Sequence, residues 1–152
     1  MKKIIIAFLL TLIVFLPINN VSALENKSYT FEYEKNGNYY ETSITYDTPL
    51  ARAASSVNGH KTITCKSSSG KILWSVTVNG TFTYNGSSST CTSASVSTSV
   101  SDGNWKIASK SSSKSGNTAK ATATAHYYLN GNIIDRQTKT VTLKCSASGK
   151  LN

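Results

Sequence analysis

Lys71-Ile72-Leu73-Trp74-Ser75-Val76-Thr77-Val78-Asn79-Gly80-Thr81-Phe82-Thr83-Tyr84 is written in period two. Its even positions hold Ile72, Trp74, Val76, Val78, Gly80, Phe82 and Tyr84, and its odd positions include Ser75, Thr77, Asn79, Thr81 and Thr83. Successive side chains of an extended chain point to opposite faces, so the run predicts a long strand with one apolar and one hydroxyl-bearing face. Gly80 in mid-strand predicts a bulge or bend, or a side chain packed over it.

Working outward, His60 to Lys66 reads as a partner strand joined through Ser67-Ser68-Ser69-Gly70, and Asn85-Gly86 ends the long strand. A second hairpin follows. Ala119, Ala121, Ala123, Ala125, Tyr127 and Leu129 alternate with Lys120, Thr122, Thr124, His126 and Tyr128 up to the turn pair Asn130-Gly131. The return strand, Asn132 to Cys145, turns Val141, Leu143 and Cys145 inward and Thr140, Thr142 and Lys144 outward. Inward alanines need a bulky opposite layer, which Trp74, Phe82 and Trp105 supply. Between the hairpins, Ala94 to Val100 reads as a weak strand, Trp105 to Ser109 as a short one, and Ser109 to Asn117 as a Lys/Ser/Gly loop. Short strands, frequent turn signals and no helical period predict an all-β fold, an immunoglobulin-like antiparallel β-sandwich, with a small β-barrel as the alternative.

The N-terminus reads as an export signal over residues 1–23. Lys2 and Lys3 precede the apolar run Ile4 to Leu16, and Val21-Ser22-Ala23 offers small residues for cleavage. The run falls short of the roughly 20 residues a spanning helix needs, so no transmembrane segment is expected after cleavage. Residues 24–58 form an acidic leader and linker, a pro-segment or an extra hairpin, in which Tyr29 to Tyr33 and Tyr39 to Tyr46 alternate around Asn36-Gly37-Asn38. Arg52, among small residues, suits either a plain linker or a processing site. Residues 59–152 are the basic β-sandwich domain.

Charge divides along the same line. Five of the seven carboxylates precede Arg52, whereas residues 53–152 carry ten lysines and one arginine against Asp102 and Asp135. Lys106, Lys110, Lys114 and Lys120 lie within fifteen residues. A basic exported domain is drawn to anionic cell-wall polymers or a membrane surface. Recognition of a specific nucleic acid would want exposed aromatics among the lysines and is not expected.

Cys65, Cys91 and Cys145 leave one thiol over in an oxidising compartment. Cys91–Cys145 is the preferred pair, closing a loop of more than fifty residues worth on the order of 4 kcal/mol; Cys65–Cys145 stays open. Cys65 sits in a strand pattern and reads as a small buried hydrophobe.

The string from Gly70 through Trp74-Ser75-Val76-Thr77-Val78-Asn79-Gly80-Thr81-Phe82-Thr83-Tyr84-Asn85-Gly86 to Cys91 resembles a recurring segment of small secreted proteins of Gram-positive bacteria. So do Trp105-Lys106, Ser115-Gly116-Asn117 with Ala119, and Val141-Thr142-Leu143-Lys144-Cys145-Ser146 with Gly149. Over residues 53–152 the resemblance implies a secreted β domain behind a variable leader, with the equivalents of Cys91 and Cys145 as the recurring pair. Cys65 departs from that pattern, and the resemblance implies no catalytic site or cofactor.

Enzymatic chemistry finds little support. His60 and His126 are isolated from each other and from acids in sequence, so no metal site is expected. Cys65 with His60 or His126 has the residue types of a thiol hydrolase but lacks an oxyanion loop. Glycoside hydrolysis needs two flanking carboxyl groups, and the basic domain has only Asp102 and Asp135. No phosphate loop, dinucleotide fingerprint or calcium loop appears, so no cofactor is expected. The reading is a secreted, non-enzymatic protein of undefined oligomeric state. It binds anionic cell-surface polymers or an extracellular partner through Lys106, Lys110, Lys114 and Lys120. The alternative is a cationic, bacteriocin-like antimicrobial released from its acidic leader.

Overall fold

A computed structural model describes residues 29–34, 37–47 and 55–152; the expected export signal and the Arg52 linker lie outside the described residues. Among the described residues, eight antiparallel strands make two facing sheets. The first holds β1 (Tyr29–Tyr33), β2 (Tyr39–Tyr46), β3 (Ser56–Lys66), β4 (Ile72–Tyr84) and β5 (Ser89–Val100), and the second β6 (Trp105–Ser115), β7 (Thr118–Leu129) and β8 (Asn132–Lys144). Each strand pairs with its sequence neighbour, and the chain changes sheet between Val100 and Trp105. The β-sandwich expectation holds; the sheets do not close into a barrel. Among the described residues no helix is long and apolar enough to cross a membrane.

The core is the one the alternation names. Trp74, Val76, Val78 and Phe82 from β4 are fully buried against Ala119, Ala121, Ala123 and Ala125 from β7, with Val141 and Leu143 from β8. Small and large layers interdigitate: the alanines leave the space the rings occupy. Gly80 has the phenyl ring of Phe82 lying over it, so that a Cβ there would stand 2.5 Å from Cε2. Ile72 departs from the predicted pattern. Cys65 pairs with Trp74 and Lys66 with Ile72, so Leu73 is the extra residue of a bulge; it turns inward while Ile72 is exposed.

Three further expectations are corrected. Ser109 to Asn117 is not a loop: β6 runs on to Ser115, paired with β7, and only Gly116, at positive φ, and Asn117 make the turn. Likewise β5 begins at Ser89 rather than Ala94. The missed stretches, Ser89 to Ser93 and Ser109 to Ser115, hold only hydroxyl residues, lysines and one cysteine, which erases the apolar alternation by which strands are read. The expected Cys91–Cys145 bond is not formed; all three cysteines are buried free thiols. Cys91 donates to the Ser93 carbonyl and Cys145 to the Ser146 carbonyl.

Two segments of the acidic leader, Tyr29–Tyr33 and Tyr39–Tyr46, are strands of the first sheet. All eight residues of β2 pair with β3, and Tyr40 is buried in the core. Glu32 bonds Lys139 and Glu34 bonds Gln137, so the even residues of β1 face the second sheet. Tyr29, Phe31 and Tyr33 consequently face outward.

Candidate functional site

A groove of about 790 Å³ in the surface is lined by Lys61, Ser113, Ser115, Thr118, Lys120, Thr142, Lys144 and Asn152. Its floor follows from register. Ser113, Lys120 and Thr142 form one row across β6, β7 and β8, and Ser115, Thr118 and Lys144 form the next. These rows lie on the outer face of the second sheet, because the adjacent Ala119 and Ala121 face the core. Asn152 reaches the groove because the chain folds back after β8: its backbone exchanges hydrogen bonds of 2.9 and 3.0 Å with Lys144, and the Leu151 amide donates to the Tyr46 hydroxyl at 2.8 Å.

Lys61 comes from the other sheet. It pairs with Val78 and Ile44 on the inner side of β3, where its stem is partly covered and its ammonium extends to the groove. Burial lowers its pKa, because the charged form loses part of its hydration. A bound anion would replace that hydration and reverse the shift.

The same outer face continues as hydroxyl rows, Ser111–Thr122–Thr140 and Ser109–Thr124–Thr138, and ends in Lys106–His126–Arg136. The threonine pairs are closed by hydroxyl hydrogen bonds of 2.8 and 2.9 Å. Basic rows therefore stand at both ends of a hydroxyl track roughly 20 Å long, taking the rise per strand residue from Lys120 to His126.

The four lysines singled out from sequence are split by the bulge at Ala108. Lys106 and Lys120 share the outer face, whereas Lys110 and Lys114 pair with Ala123 and Ala119 and project from the opposite face of β6. There the Lys114 ammonium caps the Thr92 carbonyl of β5. Lys61, Lys144 and Arg136 were not singled out together with them. Sequence spacing offers no sign that Lys61 and Lys144 line one groove, which depends on β3 and β8 lying against each other.

Every described carboxylate is engaged elsewhere. Glu32 bonds Lys139, Glu41 bonds Lys66, Asp47 bonds His60 at 2.7 Å and Asp102 bonds Lys71 at 2.7 Å. Glu34 and Asp135 both accept from the Gln137 amide, at 3.2 and 3.0 Å. Among the described residues, no aspartate or glutamate lines the groove.

At the other end of the sandwich a cleft of about 460 Å³ does gather Asp102 and Asp135, with Trp105, Tyr127, Asn38 and Ser67. The Lys71 ammonium, then the Asn104 amide, hold the Asp102 carboxyl below its ordinary range. That suits an ion-pair partner and not a proton donor, which needs the opposite shift. Cys65 also sits near this end, sealed in the core; burial pushes its thiol up to about 11 and leaves it a proton donor toward Gln137 rather than a thiolate nucleophile. Among the described residues no three His, Cys, Asp or Glu cluster as metal ligands. Comparison with protein-family models, curated proteins and solved structures returned no match.

Proposed function

We propose that this is an exported, non-enzymatic β-sandwich whose second sheet binds a linear anionic polymer of the cell surface along its outer face. The observation that carries the reading is the groove in which Lys61, Lys120 and Lys144 meet with no aspartate or glutamate side chain among the described residues lining it. Positive charge gathered in a concavity focuses the field, and the surrounding hydroxyls of Ser113, Ser115, Thr118 and Thr142 donate to phosphate or carboxylate oxygens once the ammonium groups have drawn them in. Lys106 and Arg136 engage the same polymer farther along. Lys110 and Lys114 contribute to the long-range field only.

The test is retention on isolated cell walls, before and after their anionic polymers are stripped, as salt rises to about 1 M, where the screening length falls to about 3 Å. Wild type should bind unstripped walls at low salt and elute as salt rises. Lys61→Ser/Lys120→Ser/Lys144→Ser should elute much earlier than Lys110→Ser/Lys114→Ser. Equal elution of the two variants, or retention indifferent to salt, would overturn the reading.

A further inference from the structure

The edge strand β1 carries a feature the anionic-polymer reading leaves unused. Tyr29, Phe31 and Tyr33 are 49%, 54% and 75% exposed, and all stand on the outer face of the first sheet. Tyr39, opposite Tyr33 on β2, joins them: its ring lies 5.6 Å from that of Tyr33 and 6.2 Å from that of Phe31. Tyr29 follows on the same face, so four rings share one side of a strand that, among the described residues, has no neighbour on its far side. Leaving such rings in water forgoes the gain of burying them, and a strip of this size on a single chain marks an interaction surface.

Its surroundings identify the partner. Beside the rings the outer faces of β2 and β3 present Glu41, Ser43, Thr62, Thr64 and Lys66, with no aliphatic side chain among them. Glu41 and Lys66 close on each other, so the patch is electrically neutral, unlike the lysine groove. Farther across, Ser75, Thr77, Asn79, Ser95, Ser97 and Ser99 continue a hydroxyl and amide surface, linked by contacts such as Ser75 to Ser99 at 2.7 Å and Asn79 to Ser97 at 3.3 Å. A membrane surface would call for aliphatic side chains and unpaired lysines. A second copy of this chain would bury only roughly 400 Å² of ring surface here, from the side-chain areas of such residues, about half of what one partner contributes to a stable interface.

Rings plus neutral hydroxyls match the two faces of a sugar. Aromatic faces stack on the apolar C–H face of a pyranose, while hydroxyl, amide and closed ion-pair groups exchange hydrogen bonds with its rim. Alternate residues of β1 stand about 7 Å apart, so the strip can meet successive units of an extended chain. We infer that Tyr29, Phe31, Tyr33 and Tyr39 form a stacking platform for a neutral, extended polysaccharide, separate from the lysine groove and independent of it.

The probes are chitin beads and soluble chito-oligosaccharide, with cellulose as a second neutral chain, all in about 1 M salt to silence the lysines. Wild type should be retained on at least one of these polymers. Tyr29→Ser/Phe31→Ser/Tyr33→Ser should lose binding at least tenfold, and Lys61→Ser/Lys120→Ser/Lys144→Ser should bind as wild type does. Tyr33→Ser alone, at the most exposed ring, should lower affinity severalfold and keeps the test intact if the triple variant misfolds. No retention of wild type on any of the three, equal retention of the tyrosine variants, or a dimer in sedimentation that Tyr33→Ser dissolves would each overturn the inference. Failure on chitin and cellulose leaves the salt-dependent binding to walls untouched, so the two readings fall separately.

Discussion

Tyr40 donates its phenolic hydrogen bond to the side-chain oxygen of Gln137 at 2.7 Å, joining the acidic leader to the last strand across 97 residues of sequence. The same oxygen accepts from Trp74 Nε1 at 3.3 Å and is approached by the Cys65 thiol at 3.7 Å, while the amide nitrogen donates to Glu34 and Asp135. Three donors on one end and two carboxylates on the other fix the amide's orientation. Gln137 is the only polar side chain buried in the described core, and every buried side-chain polar atom described has a partner.

Removing that hub should cost more than removing any spoke. Gln137→Leu strands the Tyr40 hydroxyl and the Trp74 indole in the core, and each unsatisfied group costs about 1–3 kcal/mol. A loss of about 2–4 kcal/mol is expected in urea unfolding. Tyr40→Phe, which removes one donor and leaves Gln137 other partners, should lose about 1 kcal/mol. In the double variant the Tyr40→Phe cost should largely vanish; full additivity would show that the bond does not couple the two sheets.

The long strand was legible because its two faces meet different media. Trp74, Val76, Val78 and Phe82 reach the core and Ser75, Thr77 and Asn79 do not, so the period survives in the letters. Asn130-Gly131 was legible for a local reason: both residues adopt positive φ, as that turn requires. The second half of β6 was not. Ser109, Ser111 and Ser113 lie on one face and Lys110, Ser112 and Lys114 on the other, beside the edge of β5, so no apolar residue marks either side. The lysine groove was hidden for a different reason. Lys61 and Lys144 are 83 positions apart in the sequence and meet only through sheet stacking.

The Gly80–Phe82 contact makes a steric prediction. A methyl group at position 80 would stand 2.5 and 2.8 Å from the Phe82 ring and 3.3 Å from Ala119 Cβ. Inner-layer neighbours on both sides are fully buried, so the ring has little room to retreat. Gly80→Ala should destabilise by about 1–3 kcal/mol, the usual cost of overpacking. Phe82→Leu shortens the obstructing group, so the double variant should lose less than the two single losses added together. Unfolding midpoints of the four proteins test this, and strict additivity would place the strain somewhere other than this contact.

Alkali should unfold the protein through its buried acids. Burial, the largest cause, lifts the Cys65 thiol to about 11, with the Tyr40 hydrogen bond pulling the other way; the Tyr40 phenol is itself raised, again chiefly by burial. An unfolded thiol ionises near about 8.5, so above that pH the unfolded state holds fewer protons than the folded one. Stability from this group is then complete below about pH 8.5 and declines as pH climbs through the folded value, by at most about 1.4 kcal/mol per pH unit. Burial raises the Cys91 and Cys145 thiols too, so some decline should remain when Cys65 is gone. Cys65→Ala should therefore pay a fixed packing cost at neutral pH yet lose stability less steeply than wild type between about pH 8 and pH 10. Urea titrations across that range compare the slopes directly, and parallel curves would mean that the Cys65 thiol ionises alike in the folded and unfolded chains.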